Sequence, residues 1–208
     1  TRGRERSRSI ESISNEVAKA VSEGYSEITL LGQNVNSYIR PEGDFVTLIE
    51  KIANVKGVKR IRYTSPHPKD ISEDLIKTMV EYSNICNYVH LPLQAGSNRV
   101  LKLMNRNYTK EEFLDLVDLI RTHMPDCSIS TDIIVGFPGE TDDEFRETLE
   151  VVNKARFDFA YMFKYSSRPG TKAAEYTNQI DEEVKQNRLA ELIEIQNSIR
   201  LEVNKERV

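Results

Sequence analysis

One stretch decides the fold: residues 128–135, Ser128-Ile-Ser-Thr-Asp-Ile-Ile-Val135. It is rich in β-branched side chains, and its apolar residues stand at consecutive positions, which is typical of a strand that is covered on both faces. Gly136 ends the stretch, and Thr141 followed three residues later by Glu144 is the pattern of a helix-capping box. A buried strand that leads through a short turn into a helix over Asp142–Ala155 predicts a βαβ arrangement.

Outward from this stretch, strands and helices continue to alternate in both directions. Further strands are predicted over Glu27–Leu31, Val58–Tyr63, Tyr88–Leu93 and Phe157–Phe163. Further helices are predicted over Ile10–Gly24, Phe45–Val55, Ile71–Tyr82, Asn98–Met104, Lys110–His123 and Ile180–Val203. Strands that are separated by a helix pair in parallel through right-handed crossovers. The predicted fold class is therefore α/β.

The number and order of the elements narrow the architecture. Five predicted strands are too few for a closed eight-stranded barrel, and the chain begins with a helix. We therefore expect an incomplete parallel (βα)6-type partial TIM barrel whose first strand is missing, as in a chain cut just after a strand and its loop. No repeat, low-complexity segment or linker is visible before about Arg168, so residues 1–208 are expected to form one domain.

Composition excludes several classes of protein. The 208 residues are 38% hydrophobic and 30% charged, which is the balance of a globular domain rather than of a disordered, collagen-like or disulfide-stabilised chain. The apolar runs are far shorter than the roughly 20 residues of a membrane helix, so we expect a cytosolic protein with no membrane association. A formal net charge of −4 gives no overall positive field, so any contact with RNA must be local or supplied by another domain.

Two features of the sequence have simple structural interpretations. Arg2, Arg4 and Arg6 alternate with other residues at the start of the chain, as in a solvated terminal arm. Cys86 and Cys127 lie far apart, without a C-x-x-C pattern or a neighbouring His at ligand spacing. We therefore expect both cysteines to be small buried hydrophobes and predict no metal site in this chain.

The ends of the predicted strands carry the candidate ligand-binding residues. In parallel α/β sheets, ligands bind beyond the carboxyl ends of the strands. Amides, hydroxyls and small residues follow these ends, and the pattern suits a large polar ligand that is held by hydrogen bonds. The segment from Gln94 to Ser97 is equally consistent with a capped helix start, and Gly136 with Gly139 is consistent with a tight turn. Asp132 differs, because a carboxylate inside a buried strand needs a partner or a function.

Six motifs occur along the chain in one order. They are Thr1-Arg-Gly-Arg-Glu-Arg-Ser-Arg8, Leu31-Gly-Gln-Asn-Val-Asn-Ser-Tyr38, Ser65-Pro-His-Pro68, His90-Leu-Pro-Leu-Gln-Ala-Gly-Ser97, Met104-Asn-Arg106 and Asp132-Ile-Ile-Val-Gly-Phe-Pro-Gly-Glu-Thr141. Together they resemble the radical S-adenosylmethionine (SAM) methylthiotransferases over nearly the whole chain. The second motif is similar to that of the enzymes that methylthiolate N6-isopentenyladenosine next to the tRNA anticodon.

The resemblance implies cofactors and further domains. In this family, an amino-terminal domain holds an auxiliary iron–sulfur cluster, and a small carboxy-terminal domain binds RNA. The central domain opens with C-x3-C-x2-C, whose thiolates hold a [4Fe-4S] cluster that binds SAM. The intact protein is thus expected to hold two [4Fe-4S] clusters. This chain starts just after the motif, and neither of its cysteines matches a ligand, so the fragment is expected to hold no cluster and to be inactive alone.

The resemblance also implies site residues and a reaction. Gln94 matches a residue that contacts the SAM ribose, Arg106 one that pairs with the methionine carboxylate, and Asp132 a carboxylate on the amino-acid side of the cofactor. Gln33, Asn34 and Ser65 are expected to line the cofactor or substrate side, and Arg2, Arg4 and Arg6 to meet tRNA phosphate. The implied reaction is reductive cleavage of SAM, hydrogen abstraction from C2 of the modified adenine, and transfer of sulfur and a methyl group.

Two other functions remain open from the sequence. The same chemistry acts on a ribosomal-protein aspartate or on threonylcarbamoyl-adenosine in tRNA in the sister enzymes. A binding module that holds a nucleotide without turnover also accounts for the α/β pattern and the absent cysteine motif. The donors of sulfur and electrons and the oligomeric state are not specified by the sequence.

Overall fold

A computed structural model describes residues 6–64 and 67–206. Arg2, Arg4 and Ser65, which the sequence proposes as site residues, lie outside the described residues. The chain divides into two compact units. The first consists of Thr1–His90 and Ile120–Cys127, and the second consists of Leu91–Leu119 and Ser128–Val208.

The elements follow one another largely as the sequence predicts. The helices are α1 (Ile10–Ser22), α2 (Phe45–Ala53), α3 (Glu73–Glu81), α4 (Asn98–Leu103), α5 (Lys110–His123), α6 (Asp142–Ala155) and α7 (Glu182–Glu206). The strands are β1 (Glu27–Leu30), β2 (Ile39–Arg40), β3 (Gly43–Asp44), β4 (Arg60–Tyr63), β5 (Tyr88–His90), β6 (Ser128–Val135) and β7 (Phe159–Lys164). The predicted bounds of α5, α6 and β6 are confirmed residue for residue.

Unit 1 contains a parallel strand pair and its covering helices. β1 and β4 pair in parallel with Glu27 opposite Arg60 and Leu30 opposite Tyr63. Helix α2 packs against both α1 and α3, and its Ile49 and Ile52 are fully buried. The apolar stripe that predicts α2 from the sequence therefore forms much of this core.

The antiparallel pair β2 and β3 in unit 1 is not predicted from the sequence. Each strand has two residues, too short for a recognisable alternation. The pair leads directly into α2, because Asp44 at the end of β3 is also the N-cap of the helix and accepts a hydrogen bond from the Thr47 amide at 3.0 Å.

Unit 2 is built around β6. β7 pairs with β6 in parallel along Ser130–Val135. On the other side, the Leu91 amide donates to the Ser130 carbonyl at 2.7 Å, and the Gln94 amide donates to the Asp132 carbonyl at 2.8 Å. The central strand is thus hydrogen-bonded on both sides, and these bonds fix the register of the segment after Leu91 along β6.

The strand predicted over Tyr88–Leu93 is too long, since β5 ends at His90. Pro92 has no amide hydrogen to donate, and the Leu93 amide bonds to the Thr131 hydroxyl at 3.0 Å instead of to a backbone carbonyl. The regular ladder is therefore interrupted just before the candidate residue Gln94.

Helix α7 closes unit 2 against β7 and α6. The buried residues on its inner face include Leu192, Ile199 and Val203. Gln196 is also buried, and its side-chain amide donates to the Phe157 carbonyl at 2.7 Å, which fixes the helix at the start of β7. Within the described ranges, neither α7 nor any other helix combines the length and the apolar character needed to cross a membrane.

Candidate functional site

Gln94 has an unusual backbone conformation at the centre of unit 2. It is buried, and its φ of 71° lies in the left-handed region, which is rare for residues other than glycine. Its amide donates to the Asp132 carbonyl, and its own carbonyl accepts from the Ile134 amide at 2.9 Å. These two bonds to β6 hold a conformation that is unfavourable in isolation, as is common in ligand-binding sites.

The two residues that follow this turn attach it to α6. The Gly96 amide donates to the Thr148 hydroxyl at 2.9 Å, and the Ser97 hydroxyl donates to a carboxylate oxygen of Glu144 at 3.0 Å. A Cβ atom on Gly96 would lie 2.7 Å from the Glu147 carbonyl oxygen, so only glycine fits between the turn and the helix. Ser97 is also the N-cap of α4, which confirms that interpretation of the motif.

Glu144 receives hydrogen bonds from three parts of unit 2. The capping box with Thr141 that the sequence predicts is present. The Arg99 guanidinium donates to both carboxylate oxygens, at 2.6 Å each, and Ser97 adds a further bond. These donors, Arg99 above all, lower the pKa of Glu144 to about 2. The carboxylate is therefore charged throughout the physiological range.

Tyr108 forms hydrogen bonds to the segment just before the Gln94 turn. Its hydroxyl donates to the Pro92 and Leu93 carbonyls, at 2.7 Å and 3.1 Å, immediately before Gln94. Burial raises the pKa of Tyr108 to about 12; the Arg106 cation opposes this rise, and the Asp132 carboxylate adds to it. The structure thus joins Gln94 to Asp132 through the backbone, and the charges of Arg106 and Asp132 both act on the pKa of Tyr108.

Asp132 is half-buried, so the expectation of a carboxylate inside a strand covered on both faces is wrong in that respect. Thr131 and Ile133 on one face of β6 are fully buried, whereas Asp132 and Ile134 on the other face are partly accessible. The first face packs into the core, and the second retains access to solvent. Asp132 has room to meet a ligand while it keeps its contacts within the protein.

A buried ion pair between Glu140 and Arg188 is absent from the candidates drawn from the sequence. Glu140 follows β6, and one of its carboxylate oxygens accepts from the Gly136 amide at 2.7 Å and from Arg188 at 2.8 Å. Arg188 lies in α7 and also donates to Asp142 at 2.6 Å. Burial raises the pKa of Glu140 against these opposing bonds. No local pattern signals a pair whose members are 48 positions apart.

In unit 1, three further candidate residues line one cavity of about 780 Å³. Gln33 and Asn34 follow β1, and Arg6 precedes α1. The Tyr38 hydroxyl donates to the Arg8 carbonyl at 2.7 Å, which holds Arg8 beside this loop. Arg6 is exposed, as expected of a solvated arm, and it also lines this cavity.

Comparison with known proteins identifies the family. A sequence profile described as "Radical SAM superfamily" matches residues 1–152. The chain belongs to the radical SAM superfamily. This membership agrees with the resemblance drawn from the six motifs.

Two curated relatives of this radical SAM chain carry the same name. The chain is 52% identical to the tRNA-2-methylthio-N(6)-dimethylallyladenosine synthase of Thermoanaerobacter sp. (strain X514) over 209 residues, which is 99% of this chain and 44% of the relative. It is 50% identical to the protein of the same name from Pelotomaculum thermopropionicum over 210 residues, 100% of this chain and 47% of the relative. The chain thus spans less than half the length of these relatives.

Solved structures confirm the predicted α/β fold class. Coproporphyrinogen III oxidase (HemN) from Escherichia coli, described as a radical SAM enzyme, matches with a TM-score of 0.65 at 16% identity, over 91% of this chain and 46% of that chain. Methylornithine synthase (PylB) matches with a TM-score of 0.58 at 15% identity, over 93% of this chain and 56% of that chain. At these identities the likeness establishes the fold alone.

Arg106 in unit 2 offers a donor that suits the carboxylate of SAM, whereas two cysteines cannot supply the three thiolates of an iron–sulfur site of this family. Arg106 has a buried Nε atom with no hydrogen-bond partner among the described residues, as expected of a donor that awaits an acceptor. Cys127 is buried and Cys86 half-buried, so the expectation of two buried cysteines is met fully only at Cys127. Residues 6–64 and 67–206 contain no group of three His, Cys, Asp or Glu side chains that could hold a metal ion.

Glu144→Gln should destabilise unit 2, because it replaces a charged acceptor of Arg99 with a neutral amide. We expect the free energy of unfolding at pH 7 to fall by about 2 kcal/mol. The wild-type pKa is depressed from 4.5 to about 2, so its stabilisation is complete above pH 4.5 and is lost as the pH falls towards 2. Denaturant unfolding across this range should show a loss that is much smaller in the variant. Asp143→Asn, which changes an exposed neighbour, is the control. If both variants lose the same free energy of unfolding at pH 7, the stabilising role of the Glu144–Arg99 pair is contradicted.

Gly96→Ala should disturb the Gln94 turn, because the new methyl group collides with the backbone of α6. We expect a loss of about 2 kcal/mol in the free energy of unfolding and weaker SAM binding by the intact protein. Gly170→Ala is the control that separates steric collision from backbone strain. Gly170 has a φ of 82°, so alanine is strained there, but the added Cβ would meet nothing within 4 Å. That control should cost about 1 kcal/mol. Equal effects in both variants would rule out the collision.

Proposed function

We propose that the chain is the core of a radical SAM methylthiotransferase that adds a methylthio group to C2 of N6-isopentenyladenosine next to the tRNA anticodon. The observation that carries this proposal is about 50% identity over essentially the whole chain to synthases of that name. The geometry of unit 2 supports it, since the strained Gln94 turn is bonded to the Asp132 backbone and the buried Nε of Arg106 has no hydrogen-bond partner among the described residues.

SAM has a carboxylate and an ammonium group at one end, and the charges of unit 2 complement both. Arg106 binds the methionine carboxylate, since a guanidinium offers parallel donors and its buried Nε has no other acceptor among the described residues. Asp132 lies on the ammonium side, and its partial exposure leaves a face for the ligand. Gln94 contacts the ribose from a position that its backbone bonds to β6 fix in advance.

The substrate side is assigned to unit 1. Gln33 and Asn34 present amide groups in the 780 Å³ cavity after β1, and these groups suit hydrogen bonding to a base or a ribose. Arg6 lines the same cavity and contacts tRNA phosphate. Ser65, Arg2 and Arg4 are proposed for the same side from the sequence motifs alone.

The chain supplies binding and orientation, and the cofactors supply the difficult chemistry. Bound SAM and a reduced [4Fe-4S] cluster provide one-electron cleavage chemistry. The intact cytosolic protein holds two such clusters, and the radical SAM core supplies the residues that bind SAM. Gln94, Arg106 and Asp132 keep the cofactor in one orientation and limit the access of water.

The proposal predicts the products of the intact protein with reconstituted clusters. With SAM, a reductant and tRNA that carries N6-isopentenyladenosine, it should form 5′-deoxyadenosine and 2-methylthio-tRNA, both detectable by mass spectrometry. Arg106→Lys should raise the KM for SAM by about tenfold, because a point charge replaces a bidentate donor. Arg200→Lys is the control, because Arg200 lies over the Phe159 ring at the amino end of β7. Absence of both products rejects the proposal, and a methylthio group found on a ribosomal protein or on threonylcarbamoyl-adenosine instead selects a sister activity.

A further inference from the structure

Unit 2 contains a second cavity, of about 540 Å³, that is separate from the residues assigned to SAM. Its lining is basic and includes an aromatic ring. The lining residues are Arg99, Lys102, Leu103, Asn105, Lys172 and Tyr176. Three cations at one cavity stand out in a chain whose net charge is −4.

The three cations differ in how far they are neutralised. Arg99 is bound at both carboxylate oxygens of Glu144, so its charge is already balanced. Lys102 and Lys172 are exposed, and neither ammonium group forms an ion pair with a carboxylate in the described part of the chain. The cavity therefore has an excess of about two positive charges at its mouth.

The walls of the cavity are held in place by the rest of unit 2. Arg99 also donates to the Gly139 carbonyl at 2.5 Å, in the loop after β6. The ring of Tyr176 packs edge-on against Phe137 in the same loop, with ring centroids 6.4 Å apart. Lys102 and Lys172 thus extend from segments that are anchored to a common loop.

The cavity lies in the part of unit 2 that follows the carboxyl ends of its strands. Lys102 lies in α4, which begins just after the Gln94 turn, and Lys172 begins the short 3₁₀ helix Lys172–Glu175 that follows β7. Both segments come after the carboxyl ends of parallel-bonded strands, where α/β proteins bind their ligands.

We propose that this cavity is a phosphate-binding site for the RNA substrate, with Lys102 and Lys172 on the phosphodiester backbone and Tyr176 as an aromatic wall. Two ammonium groups with no ion pair among the described residues suit phosphate oxygens, and the ring suits a nucleotide better than a simple inorganic anion. The inference rests on the proposed function, because it takes the RNA to be the tRNA that the enzyme modifies. It adds to that function a second point of attachment, away from the modified base.

The test measures RNA binding by the intact, cluster-reconstituted enzyme. The probe is a fluorescein-labelled anticodon stem-loop RNA, and fluorescence anisotropy gives Kd at several salt concentrations. Lys102→Gln/Lys172→Gln should weaken binding about tenfold at about 0.1 M salt and lower the slope of log K against log salt by about 1.5, since two phosphate contacts are lost. Lys102→Arg/Lys172→Arg should retain both values.

The matched control is Lys154→Gln/Lys205→Gln. These lysines lie in the last turns of α6 and α7, near the amino end of β7, and the change in charge is the same. The control should bind RNA like the wild type, and all variants should bind SAM equally.

The outcomes separate the two proposals. The inference fails if the wild-type enzyme binds RNA and forms product but the Lys102/Lys172 variant keeps the wild-type Kd and salt slope. It also fails if the control loses as much affinity, or if the variant loses SAM binding rather than RNA binding. If the wild-type enzyme neither binds the RNA nor forms a methylthio product, the proposed function and the inference fall together.

Discussion

The Glu144 carboxylate is the interaction on which unit 2 depends. It caps the start of α6 through Thr141, accepts from Ser97 at the start of α4, and binds both donors of Arg99. One side chain thereby fixes the helix after β6 relative to the segment that contains Gln94. Because each bond is made to the charged form, the pKa is low, and the connection persists wherever the carboxylate stays ionised.

Glu140, four residues earlier in the loop before α6, shows how the local environment gives two neighbouring carboxylates opposite pKa shifts. Both carboxylates are buried, but Glu144 is surrounded by donors that lower its pKa, whereas burial raises the pKa of Glu140. Arg188 compensates for this burial, and it brings α7 against the loop after β6. A buried pair of this kind is weak support for stability, but the removal of one partner is costly because the other charge remains in the core. Its principal effect is thus to fix the position of the loop.

The features that the sequence predicts well are those whose cause is local. The capping box at Thr141 and Glu144 lies within one turn of helix, and the bounds of α5, α6 and β6 follow from periodicity. Gln94 is different, because its positive φ is imposed by bonds to β6 and not by its own preference. The partner of Glu140 is likewise invisible in a local pattern. Asp132 was expected to be buried because its neighbours in sequence are apolar, but only one face of β6 is fully covered.

The basic cavity of unit 2 lies in a chain with a net negative charge, and this limits the distance over which it can attract RNA. At an ionic strength of about 0.1 M, charges are screened beyond about 10 Å, so two lysines cannot recruit RNA from a distance against the net charge of −4. They act only after contact, when phosphate comes close enough to replace their water. Arg99 and Arg188 are already neutralised by Glu144 and Glu140 and so maintain the structure, whereas Lys102 and Lys172 remain available to a ligand. The cavity therefore orients a bound RNA, and the first attraction must come from another part of the intact protein.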